Sequence, residues 1–142
     1  MVDLDVVYEG DLHCSATHRP SSARFATDAP VDNQGRGESF SPTDLVGVAL
    51  GTCMVTTMGI LARKKGWAIE DTRVHVRKGM TSTPPRRIER LEVRIEMPKS
   101  SAALDHSVRE ELERAAHTCP VRISLLLAIE VPVEFVWPAQ TI

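Results

Sequence analysis

The sequence is short of aromatic residues and of net charge. Aromatic residues make up 4% of the 142 residues, and the formal net charge at pH 7 is -2. So small a charge gives no electrostatic reason to bind nucleic acid or an anionic membrane, and single-stranded nucleic-acid binders usually add aromatic side chains for stacking. We therefore expect neither nucleic acid nor a membrane as a partner.

Paired cysteines are also lacking. The three cysteines are Cys14, Cys53 and Cys119, an odd number without a C-x-x-C motif. The first residues, MVDLDVVYEG, are acidic where a secretory signal would be basic, and they lack a continuous apolar run. We expect an unprocessed cytoplasmic protein, in which each thiol depends on its own environment and no disulfide framework forms.

Metal and cofactor binding are not indicated by the residue spacing. The patterns nearest to a metal motif are His117-x-Cys119 and the adjacent His13 and Cys14. A zinc site needs three or four ligands at workable spacing, and these residues do not supply such a set. We predict neither a metal nor a cofactor, and we interpret Cys14 as a packed or half-exposed thiol.

A long stretch without charge dominates the middle of the chain. Residues 45–62 contain no charged side chain. Ser41 is a good N-cap, Pro42 suits the first helical position, and Asp44 lies where its carboxylate can accept backbone N–H groups. Three basic residues and then Gly66 form a typical helix end. The pattern predicts one long buried helix over 41–66; its threonines and glycines favour a core helix over a membrane span.

The other segments alternate between apolar and polar residues, as strands do. We predict an antiparallel meander before the long helix and a hairpin with one exposed face after it. A shorter helix begins with a capping box at 107–110 and ends near Cys119, because Pro120 follows. The predicted strands are 2–8, 12–18, 24–27, 72–78, 88–97 and 131–137. The result is an α+β fold, antiparallel sheets packed on a long central helix, in a single domain over 1–142.

Basic residues cluster on the polar face of the hairpin, but glutamates interleave with them. We therefore predict a solvated, salt-bridged face rather than a nucleic-acid site. The basic residues are Arg73, Arg77, Lys78, Arg86, Arg87, Arg90 and Arg94, and the acidic ones are Glu89, Glu92 and Glu96.

The long helix requires more cover than one chain offers. A helix that is apolar on every side must be covered on every side, yet the sequence predicts one other clear amphipathic helix. Gly47 and Gly51 lie on one face and would let another helix or a strand come close. A second copy of the chain is the simplest source of the missing cover, so we predict an intertwined homodimer.

Cys53 and Cys119 differ in their predicted electrostatic setting. A thiol becomes nucleophilic as the thiolate, which positive charge or a helix N-terminus favours. Cys53 lies mid-helix among neutral residues, so activation needs an arginine from another segment or from a partner subunit; the candidates are Arg19, Arg24 and Arg36. Cys119 follows a helix C-terminus, where the dipole disfavours a thiolate, so it is the more natural resolving thiol. The alternative is that both are small buried hydrophobes.

Three blocks of sequence carry a family resemblance: ESFSPTDLVGVALGTCMVTTMGIL, RRIERLEVRIEMP and RAAHTCPV. In this order, and over nearly the whole chain, they resemble the OsmC / organic hydroperoxide resistance (Ohr) family of thiol proteins. The resemblance implies an intertwined α+β homodimer with its sites at the subunit interface. It also implies that Cys53 attacks a peroxide, that Cys119 resolves the product as a disulfide, and that a dithiol reductant restores both.

The resemblance is incomplete at the start of the long helix. Active peroxidases of the family use an arginine from the early strands, which Arg19 matches best, and a glutamate in an NPE-type motif. Here Thr43 replaces that glutamate, and Asp44 or Glu38 would have to stand in for it. This departure indicates a more distant OsmC-like branch.

These observations predict a cytoplasmic, thiol-dependent hydroperoxide reductase of the oxidative-stress type. The apolar helix around the attacking thiol favours an organic hydroperoxide as substrate. The alternative is a non-catalytic OsmC-like protein that binds a small apolar ligand in the dimer groove, with Cys53 and Cys119 as core residues.

Overall fold

The computed structural model describes residues 1–141, and the chain forms two units, Met1–Val46 and Gly47–Ile142. The first unit contains a three-stranded antiparallel sheet in the order β1-β2-β3. Its register places Val6 opposite Ala16, and Ala16 opposite Phe25. The meander predicted from the sequence is therefore confirmed. The strands are β1 (Leu4–Gly10), β2 (His13–His18) and β3 (Ala23–Asp28).

The loop after β3 is tied back to the sheet by hydrogen bonds. The Asp28 N–H donates to the carbonyl of Phe40 at 3.1 Å. A side-chain pair, His13 Nδ1 and Asp28 Oδ1, lies at 2.5 Å, and Arg36 Nη2 donates to Asp11 Oδ2 at 3.0 Å. The region predicted as a loop is thus held at both ends and contains one 3-10 turn, Val31–Asn33.

Helix α1, Pro42–Lys65, confirms the predicted helix almost to the residue. At its start Ser41 Oγ accepts from the Asp44 N–H at 3.1 Å, while Asp44 Oδ2 accepts from the Ser41 N–H at 2.8 Å. This reciprocal pair is a capping box, which satisfies two backbone donors that a helix start leaves open.

The second unit is built on a mixed sheet in the order β4-β5-β6, from strands β4 (Arg73–Met80), β5 (Ile88–Glu96) and β6 (Val133–Val136). β4 and β5 pair antiparallel, which confirms the predicted hairpin, but β6 pairs parallel with β5. The expectation of antiparallel sheets throughout is therefore wrong. Alternation identifies a strand and its buried face but carries no information on strand direction.

Helix α1 packs on this sheet at Gly51, where the absence of a side chain lets the helix backbone come close to β4. A Cβ built on Gly51 would lie 3.0 Å from Val76 Cγ2 and 3.2 Å from Val74 Cγ1, so the helix backbone comes very close to β4. The predicted close approach at Gly51 is confirmed, although the neighbour is a strand of the same chain. The side chains of Leu50, Met54 and Met58 are fully buried.

The opposite face of α1 is open within the single chain. Val48 is 43% exposed and Ile60 48%. One chain therefore leaves part of the apolar helix uncovered, as expected from the sequence. By length and apolar composition α1 is the one helix in residues 1–141 that could cross a membrane, but its glycine face packed on β4 is the arrangement of a core helix.

Helix α2, His106–His117, begins at a different cap from the one predicted. Asp105 is the N-cap, and its Oδ1 accepts from the Val108 N–H at 3.0 Å and from Ser107 Oγ at 2.8 Å. The capping box predicted at 107–110 is wrong because the helix begins at His106, so Asp105 is the N-cap and Ser107 lies inside the first turn. A short helix α3, Pro120–Ser124, follows.

The polar face of the second sheet is salt-bridged, as predicted. Arg94 donates to Glu134 at 2.7 Å and to Glu96 at 3.0 Å. Arg90 pairs with Glu130 and with Glu92. These ion pairs are exposed, so each contributes little to stability, but together they neutralise Arg90 and Arg94, two of the basic residues of this face.

Candidate thiol site

Cys53 lies on α1 beside the helix face that packs on the sheet. It precedes Met54, which is fully buried, and is itself half-buried. Thr57 Oγ1 donates to the Cys53 carbonyl at 2.8 Å, so that hydroxyl is used by the helix backbone. One edge of the packed helix face therefore carries a thiol that retains some exposed surface.

Cys119 occupies the junction between α2 and α3 and is fully buried. Its N–H donates to the Ala116 carbonyl at 3.4 Å, which closes the end of α2. Its sulfur is the N-cap of α3 and accepts from the Arg122 N–H at 3.3 Å. The prediction that Cys119 follows a helix C-terminus is confirmed, but the same residue also begins a second helix that the sequence pattern does not predict. The next helix turns a backbone donor toward the sulfur, and this favours a thiolate.

The two thiols lie close enough to interact. Burial raises the pKa of the Cys119 thiol above its ordinary value, the Arg122 N–H opposes that rise, and the neighbouring Cys53 thiol raises the pKa further. The thiols are free in this structure. At neutral pH Cys119 is accordingly a protonated thiol beside a half-buried one.

The other predicted site residues all belong to the first unit. Arg19 donates to the Asp5 carboxylate through Nε at 2.7 Å and through Nη2 at 2.9 Å. Asp44 serves the capping box of α1, and Glu38 is exposed in the loop before it. Cys14 is half-buried on β2, in agreement with the predicted half-exposed thiol. Among the predicted site residues, the structure places Cys53 and Cys119 together.

Sequence reasoning missed α3 and the donor that it supplies. In the sequence Pro120 indicates the end of a helix near Cys119, yet proline is also common at the first position of a helix. A residue able to accept a hydrogen bond just before such a proline is a possible N-cap. That signal would have predicted a helix start at Cys119 and the role of the Arg122 N–H.

A cavity of about 590 Å³ opens at the far end of α1. Val55, Gly59 and Ala62 line it from the helix, and Trp67 and Ile69 from the segment after the helix. Among residues 1–141, no group of three or more His, Cys, Asp or Glu side chains lies close enough together to hold a metal ion. The lining also includes Arg63, Glu70, Asp71 and Thr72, so the cavity wall combines apolar and polar side chains.

Comparison with known proteins gives a family for this fold and thiol pair. The family model described as OsmC-like protein matches residues 35–135, a range that includes Cys53 and Cys119. The chain belongs to the OsmC-like family. A search of curated proteins returned no match.

Solved structures agree with this assignment. A Psychrobacter arcticus protein, provisionally described as an osmotic stress induced and detoxification response protein, is 40% identical, with 95% of this chain and 96% of that one covered and a TM-score of 0.88. An organic hydroperoxide resistance protein OsmC from Legionella pneumophila is 14% identical, with 96% of each chain covered and a TM-score of 0.74. A Vibrio cholerae protein is provisionally described as an organic hydroperoxide resistance protein and has captopril bound in one of its active sites. It is 15% identical, with 95% of this chain and 90% of that one covered and a TM-score of 0.72. The last two share the fold.

Proposed function

We propose that the protein is a thiol-dependent hydroperoxide reductase in which Cys53 attacks the peroxide and Cys119 resolves the product. The observation that carries the proposal is the juxtaposition of two thiols from different helical segments, one half-buried and one fully buried, close enough for the first to raise the pKa of the second. Membership of the OsmC-like family supports it.

The proposed reaction has two chemical steps. The Cys53 thiolate attacks one oxygen of the hydroperoxide, an S–O bond forms, the O–O bond breaks, and the leaving alkoxide takes a proton to become an alcohol. The sulfur of Cys119 then attacks the sulfur of the Cys53 sulfenic acid, the S–S bond forms, and the hydroxyl leaves as water with the proton from Cys119. A dithiol reductant returns both cysteines to the thiol state.

An organic hydroperoxide suits this site better than hydrogen peroxide. The residues around Cys53 on α1 include Ala49, Leu50 and Met54, which are apolar and offer hydrogen peroxide no polar contact. The organic hydroperoxide resistance proteins that share the fold support the same substrate class. We place the protein in the cytoplasm, where thiols stay reduced.

Supporting roles are proposed for Arg19, Glu38 and Asp44. Arg19 would stabilise a thiolate, and for this its guanidinium has to exchange the Asp5 carboxylate for the sulfur. Glu38 or Asp44 would supply the carboxylate that Thr43 lacks. Because the Asp44 carboxylate already accepts from the Ser41 N–H, Asp44→Asn should affect α1 stability as well as activity.

We also propose that the functional form is a homodimer, the form that the family resemblance implies. The proposal is supported by apolar surface that a single chain leaves exposed: Leu4, Val6 and Tyr8 on β1, and Val48 and Ile60 on α1, are each more than 40% exposed. Sedimentation at micromolar concentration should give twice the chain mass, and a monomeric mass would contradict this.

Single cysteine variants test the function. Cys53→Ser should abolish dithiol-dependent reduction of cumene hydroperoxide, because the attacking atom is gone. Cys119→Ser should permit one turnover and then accumulate a sulfenic acid that dimedone traps. Cys14→Ser is the matched control and should keep the parent rate. The proposal fails if Cys53→Ser is as active as the parent, or if the parent has no activity.

A second candidate function is the binding of a small apolar ligand without catalysis. The cavity of about 590 Å³ beside α1 favours it, since that volume is in the range of small-molecule sites. Sub-stoichiometric cumene hydroperoxide followed by mass spectrometry separates the two functions. A Cys53–Cys119 disulfide supports the reductase, whereas unreacted thiols together with ligand-dependent fluorescence of Trp67 support the binding protein.

A further inference from the structure

We propose that the dithiol reductant attacks the sulfur of Cys53, and not that of Cys119, when the oxidised protein is reduced. The inference rests on the proposed function, because it concerns the disulfide that the reaction leaves. It assigns the two cysteines unequal roles in reduction: Cys53 carries the mixed disulfide with the reductant, and Cys119 is the leaving thiol.

The first argument is the access of an attacking thiolate to each sulfur. Thiol–disulfide exchange requires a thiolate to reach the attacked sulfur and form a mixed disulfide with it. Cys119 is 0% exposed, whereas Cys53 is half-buried. A second chain bound to this one can remove exposed surface but cannot add any, so Cys119 stays out of reach in a homodimer as well.

The geometry around the leaving sulfur is the second argument. Attack on Cys53 expels Cys119 as a thiolate, and the Arg122 N–H, 3.3 Å from that sulfur, is already placed to donate to it. This donor offsets part of the disadvantage of expelling a buried thiolate, because a leaving thiol of higher pKa leaves more slowly.

Protonation of the expelled Cys119 thiolate then favours reduction over re-formation of the Cys53–Cys119 disulfide. Burial raises the pKa of Cys119, so the expelled thiolate takes a proton at neutral pH. Protonation slows the return attack of Cys119 on the mixed disulfide, because the thiolate is the attacking form, and this gives the second thiol of the reductant time to react. That thiol attacks the reductant's own sulfur, a disulfide forms within the reductant, and Cys53 is released as a thiolate that takes a proton from solvent.

The test identifies which cysteine carries the mixed disulfide. A Cys14→Ser background removes the third thiol. The protein is oxidised with diamide, exposed briefly to the monothiol glutathione, quenched with acid and alkylated with N-ethylmaleimide. Peptide mass spectrometry should find glutathione on Cys53 and the maleimide on Cys119, with at least about a tenfold excess over the reverse pattern, which corresponds to about 1.4 kcal/mol.

A denatured control separates access from intrinsic reactivity. In urea both sulfurs are accessible, so glutathione should appear on both cysteines in comparable amounts. Glutathione on Cys119, or an equal division in the folded protein, overturns the inference.

The oxidants distinguish this inference from the proposed function. Diamide makes the disulfide without a peroxidase step, so the site of attack is measured even if cumene hydroperoxide, used in a parallel sample, leaves the thiols unreacted. That second result overturns the reductase proposal alone. If neither oxidant joins Cys53 to Cys119, both proposals are overturned.

Discussion

The two units of the chain differ in what they bury. In Gly47–Ile142, described to residue 141, the fully buried side chains include Leu50, Leu91, Ile95 and Leu112. Within Met1–Val46, all of which is described, the buried residues are Thr27, Asp28 and Ser41, and none of them is apolar. The second unit has an apolar core, whereas the first exposes apolar side chains on its sheet.

The difference shows where each unit obtains its stability. Three strands need a buried hydrophobic face to be stable on their own. β1 exposes both of its faces, since Val6 on the apolar face is 66% exposed and Val7, which lies between Asp5 and Glu9 on the other face, is 57% exposed. The second unit has an apolar core of its own to stabilise it, whereas the first unit has none.

Truncating one apolar side chain in each unit gives the largest expected contrast. Leu91→Ala in β5 should lower the free energy of unfolding by about 2 to 5 kcal/mol, because it leaves a cavity at a fully buried position. Leu4→Ala, at a position 67% exposed, should change it by at most about 0.5 kcal/mol when the protein is dilute enough to be monomeric. Urea unfolding measures both, and equal losses would contradict the comparison.

Two glycine substitutions on α1 test how closely the second unit is packed. Gly51→Ala should be less stable than Gly59→Ala by about 1 to 3 kcal/mol, because its Cβ meets Val76 at 3.0 Å while that of Gly59 meets nothing within 4 Å. Both variants gain the same helix propensity, so thermal unfolding of the pair isolates the crowding. A loss at Gly59 as large as that at Gly51 would mean that a partner chain comes equally close there.

A charged side chain placed on the first sheet tests whether a second copy of the chain covers that sheet. Val6→Asp should weaken self-association at least about tenfold, or about 1.4 kcal/mol, because the carboxylate would be desolvated in an interface. Val31→Asp is the matched control, since Val31 is 73% exposed in the loop outside the sheet. Sedimentation of the two variants should show dissociation in the first alone; loss of the dimer in both would assign the interface elsewhere.

The smallest effect is a pH dependence confined to the first unit. The pKa of His13 is raised above 6.5, mainly by the hydrogen bond to Asp28. Burial and Arg36 lower the pKa, and Glu9 raises it, but these contributions are smaller. With a raised folded pKa, the stabilisation is fully present below the unfolded pKa and is lost as pH rises through the folded pKa. Urea midpoints should therefore fall between about pH 6 and about pH 8 in the parent. His13→Gln should remove that slope, and an identical slope in both proteins would exclude His13 as its cause.

What the sequence predicted well is local. The bounds of α1 follow from Ser41, Pro42 and Asp44, which act on backbone groups within one turn, and the hairpin faces follow from alternation along each strand. The proximity of Cys53 and Cys119 could be expected only from the family resemblance. No local pattern specifies a contact between residues that are distant in sequence.

What the sequence missed depends on choices between local alternatives or on long-range pairing. Ser107 and Asp105 are both capping residues, and the structure uses Asp105. Pro120 follows the end of one helix and begins another. A proline is compatible with both roles, so the sequence alone does not predict α3. The direction of β6 was open because parallel and antiparallel strands alternate in the same way.

The parallel position of β6 affects how the chain is completed during synthesis. Arg94 on β5 and its register partner Glu134 on β6 are 40 residues apart. At roughly 5 to 20 residues per second, the ribosome needs on the order of seconds to deliver β6 after β5 has emerged. During that interval the hairpin of β4 and β5 has an unpaired edge along β5, and an unpaired edge readily accepts a strand from another chain. The nascent protein therefore exposes an edge that another chain can pair with until β6 becomes available.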